Sequence, residues 1–200
     1  MPNIVVGVSG ASGMPLVRDM LAFMASIPRM RIHLIISRGA HCVMRQEGGI
    51  IFDELTSHAV HVYEPEDMAA GPSSGSWRHD GMVICPCSMS TLASIACGAG
   101  MNLIHRAADV SLKERRPLIL VARETPLNLI HLKNMQFVTE AGAVVMPFCP
   151  AYYTGRASLR NMVRHFTGRV LDQLGICHSL CCRWQEDQQS GKAGGDEKKQ

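Results

Sequence analysis

Aromatic residues are scarce in this chain, and its charge is close to balanced. Phe, Trp and Tyr make up 5% of the 200 residues, and the formal net charge is +3. Residues 1–184 hold 17 basic and 13 acidic side chains. No basic run is interleaved with aromatics, so no nucleic-acid surface is expected, and a small anionic ligand fits better. No apolar stretch approaches the ~20 residues of a membrane span, so no membrane partner is expected. The Gly-Lys-Ser of an ATP-binding loop is missing. Ser37-Arg38 stands where a dinucleotide site would put an acid to hold the adenosine ribose. Cys177-His178 and Cys181-Cys182 lack a second ligand pair at standard spacing, so no metal is expected.

What is present is aliphatic and glycine-rich: 46% hydrophobic residues, 13 Met and 18 Gly. That suits one domain over residues 1–184 with a sizeable core. Residues 185–200 are polar, charged and Gly-containing, the composition of a disordered tail. The eight cysteines are scattered and the first strand begins by Asn3 with no signal peptide before it. They are expected as reduced thiols of a cytoplasmic protein.

Short apolar runs alternate with helical patterns. Ile4-Val5-Val6-Gly7-Val8 and Ile32-His33-Leu34-Ile35-Ile36 read as strands, as do Met82-Val83-Ile84-Cys85 (closed by Pro86), Leu118-Ile119-Leu120-Val121 and Ala143-Val144-Val145-Met146. Leu16, Met20, Phe23, Met24 and Ile27 mark one face of a helix. Further helices are expected over 40–46, after a Ser88 or Ser90 cap, over 103–113, from a Thr125 cap with Pro126 at its first position to Gly142, and along Leu159 to Leu174. Near-continuous apolar strands between helices predict an α/β fold: a doubly wound parallel sheet, flavodoxin-like or Rossmann-like, in three α/β/α layers.

In such a sheet, ligands bind beyond the carboxyl ends of the strands. Four strand ends here are polar: Ser9-Gly10-Ala11-Ser12, Ser37, Cys87-Ser88-Met89-Ser90-Thr91, and Arg123-Glu124-Thr125. The first is a small-residue turn from strand to helix, which predicts backbone N–H groups converging on a phosphate. A mononucleotide such as FMN fits better than NAD or ATP. A second, cationic set comprises Arg106, Lys113, Arg115, Arg116, Arg123 and Arg169. Arg115 and Arg116 read as a solvated helix face. Lys113 and Arg123 flank one strand, and Arg106 lies two helical turns before Lys113 on the same face. Glu124, a carboxylate among cations, is suited to moving a proton.

Gly10-Ala11-Ser12-Gly13, Ser73-Ser74-Gly75-Ser76, Cys85-Pro86-Cys87-Ser88, Asn102-Leu103-Ile104, Arg106-Ala107-Ala108-Asp109-Val110, Leu112-Lys113-Glu114-Arg115-Arg116-Pro117, Arg123-Glu124-Thr125-Pro126, Pro150-Ala151-Tyr152-Tyr153, Arg169-Val170-Leu171-Asp172 and Arg183-Trp184 stand in colinear order. Over residues 3–184 the chain thereby resembles the flavin prenyltransferase family. The resemblance implies a flavodoxin-like subunit of a dodecamer with FMN between subunits. It implies a metal-independent transferase that joins a dimethylallyl group from dimethylallyl phosphate to N5 and C6 of reduced FMN. The product, prenylated FMN, serves a separate aromatic-acid decarboxylase.

Position by position, the resemblance gives Gly10, Ala11, Ser12, Ser37, Ser88, Met89, Ser90, Thr91 and Arg123 to FMN. It gives Arg106, Lys113, Arg123, Glu124, Tyr153, Arg169 and Trp184 to the prenyl phosphate. Ser12, Glu47, Lys113 and Glu124 would take the catalytic roles. The chain departs from the family at Met14-Pro15-Leu16-Val17, where an aromatic is usual, and at Thr154-Gly155-Arg156. It departs again at Gly48-Gly49, which predicts a looser Glu47 loop, and in the cysteine-rich 177–182 stretch. Two other readings compete. Leu16 and Val17 prompt a non-catalytic FMN-binding subunit of a phenolic-acid decarboxylase. A peptidyl-cysteine flavin decarboxylase would want a histidine in the first strand-to-helix turn, and this turn has none.

Overall fold

A computed structural model describes residues 1–49, 52–154, 158–181 and 183. Strands β1 (Asn3–Val8), β2 (Arg31–Ile36), β3 (His61–Tyr63), β4 (Gly81–Cys87), β5 (Leu118–Ala122) and β6 (Val144–Val145) form one sheet. Their order is β3-β2-β1-β4-β5-β6, and every neighbouring pair is parallel. The helices are α1 (Met14–Ala25), α2 (Arg38–Glu47), α3 (Phe52–Thr56), α4 (Met89–Ala96), α5 (Leu103–Lys113), α6 (Leu129–Glu140) and α7 (Leu159–Gln173).

Alternate strand residues face opposite layers, as the period of two requires. Ile4, Val6, Val8, Leu34, Val83 and Ile119 pack with α1, α2, α3 and α7. Val5, Ile35, Met82, Ile84, Leu118 and Leu120 pack with α4, α5 and the one buried side chain of α6, Val138. The expected three-layer, doubly wound architecture is what forms.

One strand is added and three local expectations are corrected. β3 is an edge strand, His-Val-Tyr, whose first residue is exposed and whose other two are half-buried, with no apolar run to announce it. β6 is two residues long, not four. Pro86 does not close β4, which continues to Cys87 through a register shift between Ile84 and Cys87. Finally, α6 starts under Asn128, three residues after Thr125. The Asn128 side chain accepts from His131 N–H at 2.9 Å, and the His131 ring accepts from Asn128 N–H. That capping box satisfies two helix-end groups at once, whereas Thr125 N–H is taken by the Glu124 carboxylate at 3.0 Å.

Candidate active site

β1 and β4 are neighbours, but α1 and α4, which follow them, cover opposite faces. The two connections diverge and leave a crevice at the carboxyl rim. Ser9, 1% exposed, ties its walls together: its hydroxyl donates to Pro86 C=O and accepts from Ser88 N–H, both at 2.8 Å. Gly10 brings the β1–α1 turn against the start of α2. A Cβ at Gly10 would lie 2.9 Å from the Gly39 carbonyl carbon, so only glycine admits this approach.

The crevice opens into a cleft of about 350 Å³ lined by Gly10, Ser37, Arg38, Gly39, Pro65, Glu66, Ser88, Ser90, Thr91, Met101, Asn102 and His105. Three helix N-termini meet there. Ser37 caps α2 by accepting from Ala40 N–H at 3.1 Å, and Ser88 caps α4 by accepting from Thr91 N–H at 3.2 Å. Asn102 caps α5 by accepting from His105 N–H at 3.1 Å. The remaining first-turn amides and the positive helix ends make this corner an anion site. His105 is 9% exposed, its Nδ1 has no hydrogen-bond partner, and burial holds its pKa below the ordinary value, so a neutral imidazole faces the ligand space. The donor set fits a phosphate ester with hydroxyl-bearing and planar parts, as FMN has. Cys85 and Cys87, in β4, are fully buried. Burial pushes the Cys87 thiol up to about 12 and Cys85 higher still, so neither is a nucleophile.

The α1 turn does something else. Glu47, at the end of α2, accepts from Gly13 N–H and Met14 N–H, each at 2.8 Å, and from the Ser12 hydroxyl. Partial burial pushes its pKa up, but those bonds and the nearby Arg123 charge hold it below 4.5. At this turn, where a phosphate seat is expected, the Gly13 and Met14 amides are taken by a carboxylate of the chain itself. The Glu47 carboxylate is anchored, although Gly48-Gly49 follow it directly. Ser12, Glu47 and Arg123 stand together at the lip. Ala11 and Met89 are buried, and Glu124 is exposed next to Arg123 in the chain.

Lys113 is not brought to this rim. Lys113 ends α5 at the opposite edge of the sheet, about 17 Å of strand away from Arg123, and pairs with Glu114 at 2.5 Å. Arg106 pairs with Asp109 at 2.6 Å and donates to Ser73 C=O at 3.0 Å. Arg116 is not a solvated residue as expected: it donates to Trp77 C=O and Gly75 C=O at 2.9 and 2.7 Å. Tyr153 and Arg169 each lie near His165. The Tyr153 hydroxyl lies 3.3 Å from His165 Nε2, and Arg169 follows one turn later on the same helix. Trp184, Gly155, Arg156 and the 185–200 tail lie outside the described residues.

Residues 1–168 match the family model described as Flavoprotein. The chain is 46% identical to flavin prenyltransferase UbiX of Deinococcus radiodurans over 187 residues, 94% of this chain and 95% of that one. The chain belongs to the flavin prenyltransferase family. Its fold superposes with TM-score 0.88 on the crystal structure of AnUbiX (PadA1) in complex with FMN and dimethylallyl pyrophosphate, at 42% identity over 92% of this chain and 97% of that one. It superposes with TM-score 0.86 on a dodecameric FMN-dependent Ubix-like decarboxylase from Escherichia coli O157:H7, at 41% identity over 91% and 98%.

Within this flavin prenyltransferase-family fold, several site residues escaped sequence reasoning. Asn102 and His105 reach the cleft only because α5 begins at the same rim as α4. His165 and Asp172 share a helix face with Arg169 at i−4 and i+3, a spacing that was visible in the sequence. Asp172, His178 and Cys181 place ligand-type atoms within 4.8 Å of one another, a grouping the sequence spacing did not show.

Proposed function

We propose that this chain is a flavin prenyltransferase. It joins the dimethylallyl group of dimethylallyl phosphate to reduced FMN, breaking the allylic C–O bond while phosphate leaves with the electron pair. Reduced FMN supplies the two carbon-bonding positions, N5 and C6. The observation that carries this reading is the adjacency of two different corners on one rim: the three-helix anion cleft, and the Ser12–Glu47–Arg123 lip beside Glu124.

Gly10, Ala11, Ser37, Ser88, Met89, Ser90 and Thr91 hold FMN, with His105 and Asn102 closing the cleft. Ser12 and Glu47 stand at the reacting edge, and Arg123 spans both ligands. Glu124 handles the proton of the leaving phosphate, which Tyr153 and Arg169 grip with assistance from Arg106 and Trp184. Lys113 sits at the wrong edge to serve its own chain's rim, so a second copy delivers it. A dodecameric relative supports such an assembly. The product serves a separate aromatic-acid decarboxylase. Seven described cysteines are free, which supports a cytoplasmic setting.

The test is anaerobic incubation of the protein with reduced FMN and dimethylallyl monophosphate, followed by mass spectrometry of the flavin. A flavin one prenyl unit heavier, with a changed absorption spectrum, is expected. Recovery of unmodified FMN from a protein that binds it would overturn the transferase reading in favour of a flavin-carrying subunit.

A further inference from the structure

Beyond Arg169, the face of α7 and the segment that follows it hold a cluster with no role yet in the reaction. The Asp172 carboxylate accepts four hydrogen bonds. Arg169 Nη1 and Arg183 Nη1 donate to Oδ2 at 2.7 and 3.0 Å, and Arg183 Nη2 and His178 Nε2 donate to Oδ1 at 2.8 and 3.0 Å. His178 Nδ1 accepts from Leu180 N–H at 3.0 Å, so the ring proton sits on Nε2 and a neutral imidazole donates to Asp172. The His178 side chain is 1% exposed.

The segment carrying His178 and Arg183 is seated at Gly168, one residue before Arg169. A Cβ there would stand 2.8 Å from His178 Cε1 and 2.9 Å from Cys181 Cβ. Glycine is unfavourable inside a helix; here it makes room for the segment. The cluster does not suit a cation, despite the proximity of Asp172, His178 and Cys181. A metal would face two guanidinium groups and would have to displace the His178 Nε2 proton. One carboxylate against two guanidiniums leaves a net positive charge, which suits an anion.

We propose that Asp172 is the positioning residue of Arg169, and that His178 and Arg183 mount Asp172. Asp172 engages one N–H of the Arg169 guanidinium and leaves the other donors for the prenyl phosphate. A long, freely rotating side chain is thereby ordered before the ligand arrives. The proposal rests on Arg169 being a prenyl-phosphate ligand.

Calorimetry of dimethylallyl monophosphate on the full-length protein saturated with oxidised FMN, where no turnover occurs, tests it. Asp172→Asn is expected to weaken prenyl-phosphate binding about tenfold, the scale of a lost charged hydrogen bond, with FMN affinity changed less than about twofold. Arg169→Ala should weaken it at least as much, and the double variant should be no weaker than Arg169→Ala alone, because the two act as one unit. Asp172→Glu should recover part of the loss. Should Asp172→Asn fail to fold, Arg183→Gln removes two of the four bonds from an exposed side chain and should weaken binding about threefold. Loss on Arg169→Ala without loss on Asp172→Asn or Arg183→Gln overturns the positioning role alone. So does equal loss of FMN and prenyl-phosphate affinity, which marks a merely structural part. Unchanged affinity in Arg169→Ala removes the ligand assignment beneath it as well.

Discussion

At Glu47 two backbone amides, a hydroxyl and a guanidinium charge converge on one carboxylate. A carboxylate at a helix N-terminus is stabilised by the unpaired amides and the positive helix end. The Gly13 and Met14 amides are therefore committed, and the Ser12 hydroxyl is held in one orientation. Replacing Glu47 by Gln keeps one acceptor and removes the charge. Chemical denaturation at pH 7 should show a loss of about 1 kcal/mol, the size of a half-exposed charged hydrogen bond. The sign of the pH dependence follows from the lowered pKa. With the folded-state value below 4.5, the carboxylate's contribution is complete above pH 4.5 and is lost as pH falls through the folded value. The two proteins should converge in stability as the solution is acidified below pH 4.5. A gap that persists or widens there would mean that the charge is not what Glu47 contributes.

At the scale of elements, the turn after β1 and the start of α2 make one joint. A methyl group at Gly10 would press on the Gly39 carbonyl carbon at 2.9 Å, whereas one at Gly39 would meet Gly10 Cα at 3.3 Å. Gly10→Ala should therefore cost about 1–3 kcal/mol and open the cleft, lowering FMN affinity, while Gly39→Ala should be milder on both. Thermal melts and flavin-fluorescence titrations check the ranking, and equal effects would argue against a backbone contact. The strands on either side of this joint were legible because β1, β2, β4 and β5 are buried on both faces and read as apolar runs. β3 was not, since an edge strand of His-Val-Tyr has no such run. Ser37 and Ser88 were legible because a hydroxyl after a strand is a local signal. Glu47 bonding back to the α1 turn, Asn102 and His105 arriving at the cleft, and Asp172 gathering His178 and Arg183 all depend on how helices are laid over the sheet. Neither apolar periodicity nor turn residues carry that information.

At the scale of the whole molecule, one face is unfinished. Every residue from 123 to 130 is exposed, and Leu129, Ile130, Leu132 and Phe137 of α6 are 65%, 68%, 49% and 53% exposed. An apolar helix face of this kind, continuous with Arg123 and Glu124, is unfavourable against water and suits contact with another copy. Lys113, stranded at the opposite edge, makes the same demand from the chemical side. The two facts predict separable behaviour. Ile130→Glu puts a charge where the second copy packs, and burying an Ile contributes about 1.5–3 kcal/mol per contact, so the assembly should shift to smaller species by light scattering. The residues lining the three-helix cleft come from one chain, so even where a second copy borders it FMN affinity should fall by less than about tenfold. With Lys113 delivered by a second copy, as proposed, prenylation should fall with the loss of the large species and return under conditions that restore it. A dissociated variant that still prenylates FMN at the parent rate would show that Lys113 is not supplied across an interface.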